Sequence, residues 1–316
     1  MDRLEAMSIL AAAVETGSFS AAGRRLGMPL PTISRKVSEL EALLKTQLLV
    51  RTTRKLILTD AGAAYLAAAR RILELVEDAE ALAAGEYSAP RGDLILTAPI
   101  AFGRLHVLPV AVEFLAAFPQ VQVHMRLSDR NMNLVEDHVD MAVRIGALAD
   151  SSMIATRVGF VRRVVCGSPG YFASHGIPEK PRDLAHHTCV GFSTPTSNAA
   201  WNFSNPAERG MQAVTVPSRL SVDTAEAAID AAIAGAGLTN VLSYQVAEAV
   251  AQKKLGIVLA DFEPAPAPVH LVHAAQGMLP HKMRSFLDFA ASRLRRSLEA
   301  IHLRALASPS GRPDSS

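Results

Sequence analysis

Basic and hydroxyl-bearing side chains are concentrated near the start of this 316-residue sequence. Residues 24–55 contain eight Lys or Arg and two Asp or Glu, a local charge of +6, whereas the whole chain carries +2. A local excess of this size attracts a polyanion at short range. Within it, Thr32, Ser34 and Arg35 follow Pro31 closely enough to share the first turns of one helix. Hydroxyl groups and a guanidinium on one helix face can donate hydrogen bonds to phosphates or base edges.

Three helical segments are needed to present that face. An apolar stripe at helical spacing runs from Leu4 to Val14 and stops at Gly17. A second, short helix over "SAAGRRLG" can be capped by Ser18 or Ser20, and a third begins near a proline suited to a first helical position. Its inward residues should be Ile33, Val37, Leu40 and Leu44. Its outward residues should be Thr32, Ser34, Arg35, Lys36 and Ser38. A tight turn between two such helices is typical of a helix-turn-helix.

The segment after the third helix predicts a small β ribbon followed by a long helix. Two β segments, 48–51 and 55–58, flank a basic turn that brings Arg51 and Arg54 together. Such a wing suits contacts with the flanking DNA backbone or minor groove. Thr59 is placed to cap a helix from Asp60 to about residue 84. Apolar residues recur along it at the coiled-coil spacing: Tyr65, Ala69, Ile72, Val76, Ala79 and Ala83. This seam predicts a dimer, with packing against the same chain as the alternative.

Beyond a turn-rich stretch at residues 85–93, β-like runs alternate with helices. This pattern indicates an α/β fold with a mostly parallel sheet covered by helices. Trp201 and Phe203 alternate along one β-like run and should line the core or a cleft. Ligands of open α/β sheets bind beyond the carboxyl ends of strands. Residues 98–103, "APIAFG", end the first such strand and open a helix, so their N–H groups should face a cleft there.

Catalytic and metal-binding interpretations find little support in the sequence. His186 and His187 precede Cys189, but no third ligand follows at metal-binding spacing. Cys166 lies inside an apolar run, where a buried thiol is usually inert. The "GAG" at residues 235–237 ends a predicted helix instead of opening one, unlike a dinucleotide-binding loop. We therefore expect no enzymatic activity, no metal and no cofactor.

The first residues and the cysteine content indicate the compartment. Asp2 and Glu5 stand where a signal peptide would be positive. Two cysteines are too few for a disulfide framework and suit a reducing cytoplasm. The longest uncharged stretch, 231–247, contains glycines and polar residues that fit a helix, a turn and a strand. We expect a soluble cytoplasmic protein without a membrane partner.

The stretch "SFSAAGRRLGMPLPTISRKVSELEALLKTQLLVRTTRKLILTDAG" resembles the N-terminal domain of LysR-type transcriptional regulators. The resemblance is dense over residues 3–90 and continues more loosely through "LTAPIAFGRLHVLP" and "VDMAVRIG". It implies a winged helix-turn-helix at 1–59, a dimerising linker helix at 60–89, and an effector-binding domain at 90–304 like a periplasmic binding protein. Subdomain I of that domain would comprise 90–161 and 268–304, subdomain II would comprise 162–267, and 305–316 would form a disordered tail.

The resemblance also implies where DNA is contacted. By position, the recognition residues fall on Leu30, Pro31, Thr32, Ser34 and Arg35, and the wing arginines on Arg51 and Arg54. Many members have Gln where this chain has Leu30, so an adenine contact there is replaced by apolar contact with a thymine methyl. Many members also end this helix with Leu-Gly, whereas Leu44 is followed here by Lys45, which leaves the helix end open.

The same reasoning gives a candidate effector site and a committed function. The cleft residues, from strand ends and from the resemblance together, are Pro99, Ile100, Ala101, Phe102, Ser128, Ile145, Gly146 and Asp223. We predict a transcriptional regulator that binds double-stranded DNA as a homodimer or homotetramer and responds to a small-molecule effector, for which the N–H groups at the helix start favour an anion. The alternative is a cytoplasmic ligand-binding or enzymatic α/β protein whose N-terminal helices serve assembly. Basic residues on the third helix and wing favour the regulator, because assembly alone would not require them.

Overall fold

A computed structural model describes residues 2–51, 56–83, 89–148, 153–192, 200–205, 210–275 and 279–307. The side chains of residues 51, 81–82, 205 and 302–307 are not described. The chain forms two compact units. Unit 1 comprises residues 1–89 with 277–281, and unit 2 comprises residues 90–276 with 282–316.

The described part of unit 1 is a small helical domain with a β ribbon. Its elements are α1 (Arg3–Thr16), α2 (Phe19–Leu26), α3 (Leu30–Leu44), β1 (Leu49–Arg51), β2 (Leu56–Leu58) and α4 (Asp60–Ala83). Asp2 caps α1, and Ser18, not Ser20, caps α2 by accepting the Ala21 N–H at 3.1 Å. Fully buried side chains from α1, α3 and the ribbon form one core, among them Leu10, Ile33 and Leu49. The three predicted helices and the ribbon are therefore confirmed.

Unit 2 alternates strands and helices, as predicted. In chain order its elements are β3 (Gly92–Ala98), α5 (Ile100–Phe102), a π-helical turn (Gly103–Val107), α6 (Leu108–Ala117), β4 (Val121–Leu127), β5 (Met141–Ile145), β6 (Met153–Val161), β7 (Arg163–Gly167), α7 (Pro169–His175), a 3₁₀ helix (Pro181–His186), β8 (Cys189–Phe192), β9 (Ala200–Asn205), β10 (Gly210–Thr215), β11 (Ser218–Val222), α8 (Ala225–Ile233), β12 (Thr239–Leu242), α9 (Ser243–Ala251), β13 (Gly256–Val258), a 3₁₀ helix (Ala260–Phe262), β14 (Ala267–Ala274) and α10 (His281–Ala307).

Two sheets organise unit 2. Sheet I has the strand order β4-β3-β5-β14-β6. Sheet II has β12-β7-β13, with β8 joined through a bridge between Cys189 and Leu238 and β11 pairing with β8. β9 and β10 form a separate antiparallel pair. Each sheet is covered by helices, which gives the predicted two-part α/β architecture.

The sheets are mixed, so the expectation of mostly parallel pairing needs correction. In sheet I, β14 is antiparallel to both β5 and β6, while β3 is parallel to β4 and β5. In sheet II, β7 is antiparallel to both β12 and β13. The reversed strands are those by which the chain enters each sheet from the other: β7 follows β6 after one residue, and β14 returns from sheet II. Two crossings between sheets therefore account for both reversals.

Helix ends and helix burial differ in detail from the expectation. α10 continues to Ala307, so residues 305–307 are helical and not part of a tail, because Ala and Leu favour helix. Residues 308–316 lie outside the described residues.

The helical stretch Ile100–Ala117 is long and apolar enough to cross a membrane by length and composition. Within it Phe102 and Phe114 are fully buried, and Phe114 meets Phe286 of α10 edge-on at 5.1 Å, as in the core helix of a globular domain.

Candidate functional sites

α3 presents two contrasting faces. Ile33, Val37 and Leu40 are fully buried, as predicted, and fix the helix on α1 and α2. On the opposite side Leu30 is 46% exposed, and the Arg35 side chain is 67% exposed; among the residues that the structure describes, its one ionic partner is Glu39, at 3.8 Å. The predicted recognition residues Leu30, Pro31, Thr32, Ser34 and Arg35 all lie on the first two turns. The start of α3 therefore carries an exposed guanidinium beside exposed apolar and half-buried hydroxyl groups.

Lys36 does not belong to that exposed set, contrary to expectation. Its ammonium is paired with Glu5 of α1, and its side chain is only 17% exposed. Lys36 directly precedes the buried Val37, and one residue of helix is a rotation of about 100°, which brings the lysine to the edge of the face that packs against α1. The charge of Lys36 is thus used within unit 1.

The turn between α2 and α3 is held by a close backbone approach. The Met28 N–H donates to the Gly23 carbonyl at 2.8 Å, and a Cβ on Gly23 would lie 2.7 Å from the Met28 carbonyl oxygen. Only glycine allows this approach without a shift of the backbone. At the other end, α3 stops at Leu44 because Lys45 adopts a left-handed conformation, φ 51°. A lysine thus takes the role usually given to glycine.

The β ribbon is attached to α3 by a residue that the sequence did not single out. The Glu41 carboxylate accepts the backbone N–H groups of Leu48 at 2.8 Å and Leu49 at 3.0 Å. These two leucines are buried, so the carboxylate fixes the entry of β1 relative to α3. Arg51 ends β1, and its side chain is not described; Arg54 lies outside the described residues. No spacing rule identifies Glu41, because its partners are seven and eight residues away.

α4 divides into a packed half and an exposed half. Thr59 caps it as predicted, with its Oγ1 accepting the Gly62 N–H at 2.9 Å. Tyr65 packs against the core of unit 1, and Ala69 is 1% exposed. Further along, Ile72 is 40% exposed. The first part of the seam therefore packs within the chain, as in the alternative, and the later part faces outward.

A cavity of about 300 Å³ lies at the ends of β3, β4 and β5. Its wall contains three of the predicted cleft residues, Pro99, Ser128 and Ile145. The remaining wall residues include Asp129, Arg130, Met132 and Arg144. Three chain segments, 97–99, 128–132 and 142–145, meet here because parallel strands bring their carboxyl ends to one edge. The location agrees with the strand-end rule.

Several polar groups of this cavity are already hydrogen-bonded within the chain. The Ile100 N–H, at the helix start, donates to the Asp129 carboxylate at 3.0 Å. Arg144 donates to the Met132 carbonyl at 2.7 Å. The Ser128 hydroxyl accepts the Arg130 N–H at 3.1 Å. The helix start, which sequence reasoning reserved for an anion, is thus occupied by a carboxylate of the chain itself.

The other predicted cleft residues do not line the cavity. Ala101 and Phe102 are buried, and Gly146, at φ 107°, donates its N–H to the Pro268 carbonyl at 2.8 Å. Asp223 is exposed, while the neighbouring Thr224 caps α8. Ile100 is 40% exposed beside the wall. Burial removes Ala101 and Phe102 from the wall, whereas Asp223 is exposed but does not line it.

Phe102 of α5 belongs instead to an aromatic cluster with Tyr244 of α9. Tyr244 of α9 meets Phe102 edge-on at 5.2 Å and His106 at 5.5 Å. The His106 Nδ1 lies 3.1 Å from the Ser297 hydroxyl. Burial lowers the pKa of His106 to about 4, so this imidazole is neutral near neutral pH. Sequence reasoning missed this cluster because Tyr244 and Ser297 are more than a hundred residues along the chain from Phe102 and His106.

The thiols and histidines of the described residues show no reactive arrangement. Burial raises the pKa of Cys166 and of Cys189 to about 12, so neither thiol is ionised near neutral pH. No group of three metal-binding side chains comes together among the described residues. His187 lies 3.3 Å from the Tyr171 hydroxyl in a buried contact. These groups pack and bond within unit 2.

Comparison with known proteins gives two family matches that together span most of the chain. Residues 4–63 match the family "Bacterial regulatory helix-turn-helix protein, lysR family", and residues 88–295 match "LysR substrate binding domain". An HTH-type transcriptional repressor of Pseudomonas aeruginosa is 34% identical over 92% of this chain and 91% of its own length. The transcriptional activator AaeR of Escherichia coli is 32% identical over 91% of this chain and 93% of its own.

A solved structure shows the same arrangement of elements. CrgA of Neisseria meningitidis, described as a LysR-type transcriptional regulator, has a TM-score of 0.60 with this chain at 30% identity. The match covers 92% of this chain and 98% of CrgA. Relatives include both a repressor and an activator, so the direction of regulation does not carry over by similarity.

Proposed function

The chain belongs to the LysR family of DNA-binding, effector-responsive transcriptional regulators, and we propose which of its surfaces carry each activity. The start of α3 enters the major groove, with Arg35 as the principal contact. The observation that carries this assignment is the contrast along α3, where Arg35 is 67% exposed while the opposite face is fully buried. Leu30, also exposed, would contact a thymine methyl. Thr32, Ser34 and Pro31 would position the helix, and Arg51 and Arg54 of the wing would contact the flanking backbone.

The effector site is the cavity beyond β3, β4 and β5, and its chemistry differs from a simple helix-terminus site. The Asp129 carboxylate already accepts the hydrogen bond from the Ile100 N–H. A carboxylate effector would therefore be held by Arg130 or Arg144. Arg144 uses one nitrogen for the Met132 carbonyl, and a guanidinium has five donors, so donors remain for a ligand. Two arginines and one aspartate in the wall favour an anion over a cation.

We further propose that the protein is a cytoplasmic homodimer or homotetramer joined through α4. The support is Ile72, which is 40% exposed on a helix whose apolar repeat continues beyond the core of unit 1. Wild-type protein should sediment as a dimer or larger at micromolar concentration. Ile72→Asp should release monomers and Ile72→Val should not; a monomeric wild type contradicts the assignment. The chain acts by binding and not by catalysis, in keeping with its family and its un-ionised thiols.

The experiment that tests the function is selection of genomic fragments on the full-length protein, repeated with candidate metabolites. We expect a defined palindromic site, and a carboxylate that changes its occupancy. The same carboxylate should stabilise the protein by about 2.7 kcal/mol at 100 times its dissociation constant. Ser128→Trp, which fills the cavity, should remove the response and leave DNA binding. Enrichment of no sequence would contradict the function, and an intact response in Ser128→Trp would contradict the site.

A further inference from the structure

An ion pair joins α3 to α1 close to the recognition residues. The Lys36 Nζ lies 2.5 Å from Glu5 Oε2, and the lysine side chain is 17% exposed. Glu5 lies in the first turn of α1, where the positive end of the helix dipole favours its negative charge. The same turn is capped by Asp2, whose carboxylate accepts the Glu5 N–H at 3.3 Å. The carboxylate that receives Lys36 therefore belongs to a capped helix start.

Lys36 directly follows Arg35, so the direction of one side chain constrains the other. One residue of helix is a rotation of about 100°, and a fixed Lys36 therefore sets the side of α3 from which Arg35 projects. Ile33 and Val37 bury the helix against the core, but apolar contact is not directional. The ion pair joins two particular atoms at the edge of the packed face and resists rotation of α3 about its axis.

The start of α3 is capped less firmly than the starts of α1 and α2. Each of those helices has a capping side chain, whereas Pro29, at the start of α3, makes no side-chain hydrogen bond to the helix. Glu39, the ionic partner of Arg35, lies on α3 itself and cannot fix α3 relative to its neighbours. Lys36 is the residue next to Arg35 whose charge ties α3 to another helix.

The alternative role for Lys36 is contact with a DNA phosphate. A lysine that meets a phosphate releases counterions when DNA binds and steepens the salt dependence of affinity. The charge of Lys36 is neutralised by Glu5, and its side chain is largely covered, so it offers little to a phosphate. The geometry therefore favours holding the helix over contacting DNA.

We propose that Glu5 and Lys36 are positioning residues for DNA reading, and that their ion pair holds α3 at the rotation from which Arg35 meets its base pair. The proposal rests on the assignment of Arg35 as the principal DNA contact. It adds that sequence preference depends on a carboxylate of α1 that does not itself contact DNA. It also implies that the pair works with its charges exchanged, because the link between the helices is what matters.

The test compares three variants of the full-length protein at the selected DNA site: Glu5→Gln, Lys36→Met, and the exchange of Glu5→Lys with Lys36→Glu. Affinity is measured for the site and for its single-base variants over a series of salt concentrations. Each single substitution should lower the preference at the base pair read by Arg35 about threefold, the order of effect of a partly exposed ion pair. The exchange should restore the preference to within about twofold of wild type.

Salt dependence separates positioning from phosphate contact. Lys36→Met and the exchange should keep the wild-type slope of affinity against salt, because neither removes a charge that meets DNA. Loss of one phosphate contact would lower that slope by about one. Glu80→Gln, which removes an exposed carboxylate of α4 in the same unit, should leave preference and slope unchanged. Thermal melts report whether each variant keeps the fold.

Three results would overturn the proposal. One is wild-type preference in both single variants, with or without a lower melting temperature, since the pair would then be structural only. Another is a folded exchange variant that does not recover the preference. The third is a slope lowered by about one in Lys36→Met, which would make Lys36 a phosphate contact. A failure of the proposed function looks different: wild type would enrich no site, or Arg35→Ala would keep the wild-type preference.

Discussion

The two candidate surfaces of this regulator use their polar groups in opposite ways. At the start of α3, Arg35 extends into solvent and its nearest carboxylate is 3.8 Å away. At the strand-end cavity, Asp129 and Arg144 are already bonded to the backbone of neighbouring segments. The Arg35 guanidinium is exposed to solvent, whereas the side chains of the cavity that would meet a ligand also hold neighbouring segments together. Removing Arg35 should therefore leave stability unchanged, and removing Asp129 should not.

The largest expected effect is a loss of stability of unit 2 at acid pH. Unit 1 contains one histidine in its sequence, His281 at its boundary with unit 2, whereas His106 inside unit 2 has its pKa lowered to about 4 by burial. Because the folded-state pKa lies below 6.5, the folded chain binds this proton only at lower pH than the unfolded chain. Stability is full above about pH 6.5 and falls as pH drops toward 4, by up to ~3 kcal/mol from His106. Urea unfolding followed by the single tryptophan, Trp201, measures this in unit 2.

The control compares the same substitution at two histidines. His106→Gln should flatten this part of the pH dependence, while His124→Gln, at an exposed histidine, should keep it. If both variants lose stability with acid as steeply as wild type, the imidazole of His106 titrates normally and the cluster with Tyr244 is more open than described.

A smaller effect is expected within unit 1. There Glu41, unlike Arg35, uses its side chain to hold the fold together. Glu41→Ala leaves the Leu48 and Leu49 N–H groups without their acceptor, at a cost of about 2 kcal/mol. Hydrogen exchange of these two amides in the full chain should accelerate accordingly. Glu39→Ala, two residues earlier and exposed, should change neither amide. Unchanged exchange in Glu41→Ala would mean that the ribbon is held by packing alone.

The smallest effect tests the cavity. Asp129→Ala removes the acceptor of the Ile100 N–H, which should lower the stability of unit 2 by about 1 kcal/mol, the usual net contribution of one hydrogen bond. Asp223→Ala deletes an exposed carboxylate that has no hydrogen bond among the described residues, and it should have no effect. Trp201 fluorescence in urea measures both variants. Equal stability of the two variants would indicate that Asp129 contributes nothing to the fold and that its carboxylate is available to a ligand.

Much of unit 1 could be predicted from the sequence because its signals are local. The caps Ser18 and Thr59 and the buried face of α3 each depend on residues within one or two turns. Strand-end position likewise located the cavity. The strand-end rule could not show that the Asp129 carboxylate accepts the Ile100 N–H, because that hydrogen bond joins segments 29 residues apart.

The mixed sheets were missed for a related reason. β6, nine residues long, has exposed side chains along an edge, so it lacks the apolar run of a buried strand. β14 follows a proline-rich crossing, and its direction is set by the return of the chain from sheet II and not by its own residues. Direction within a sheet is a property of connections, which local periodicity does not report.

We propose that Arg35 contacts DNA while contributing nothing to the fold. The direct measurement is the affinity of full-length Arg35→Ala for the selected site and for single-base variants of it, over a series of salt concentrations. We predict an unchanged melting temperature and a loss of roughly 1 to 3 kcal/mol in binding, with relaxed preference at one base pair. Arg182→Ala, which removes an exposed charge in unit 2, should bind like wild type. Wild-type affinity, base preference and salt dependence in Arg35→Ala would contradict the claim.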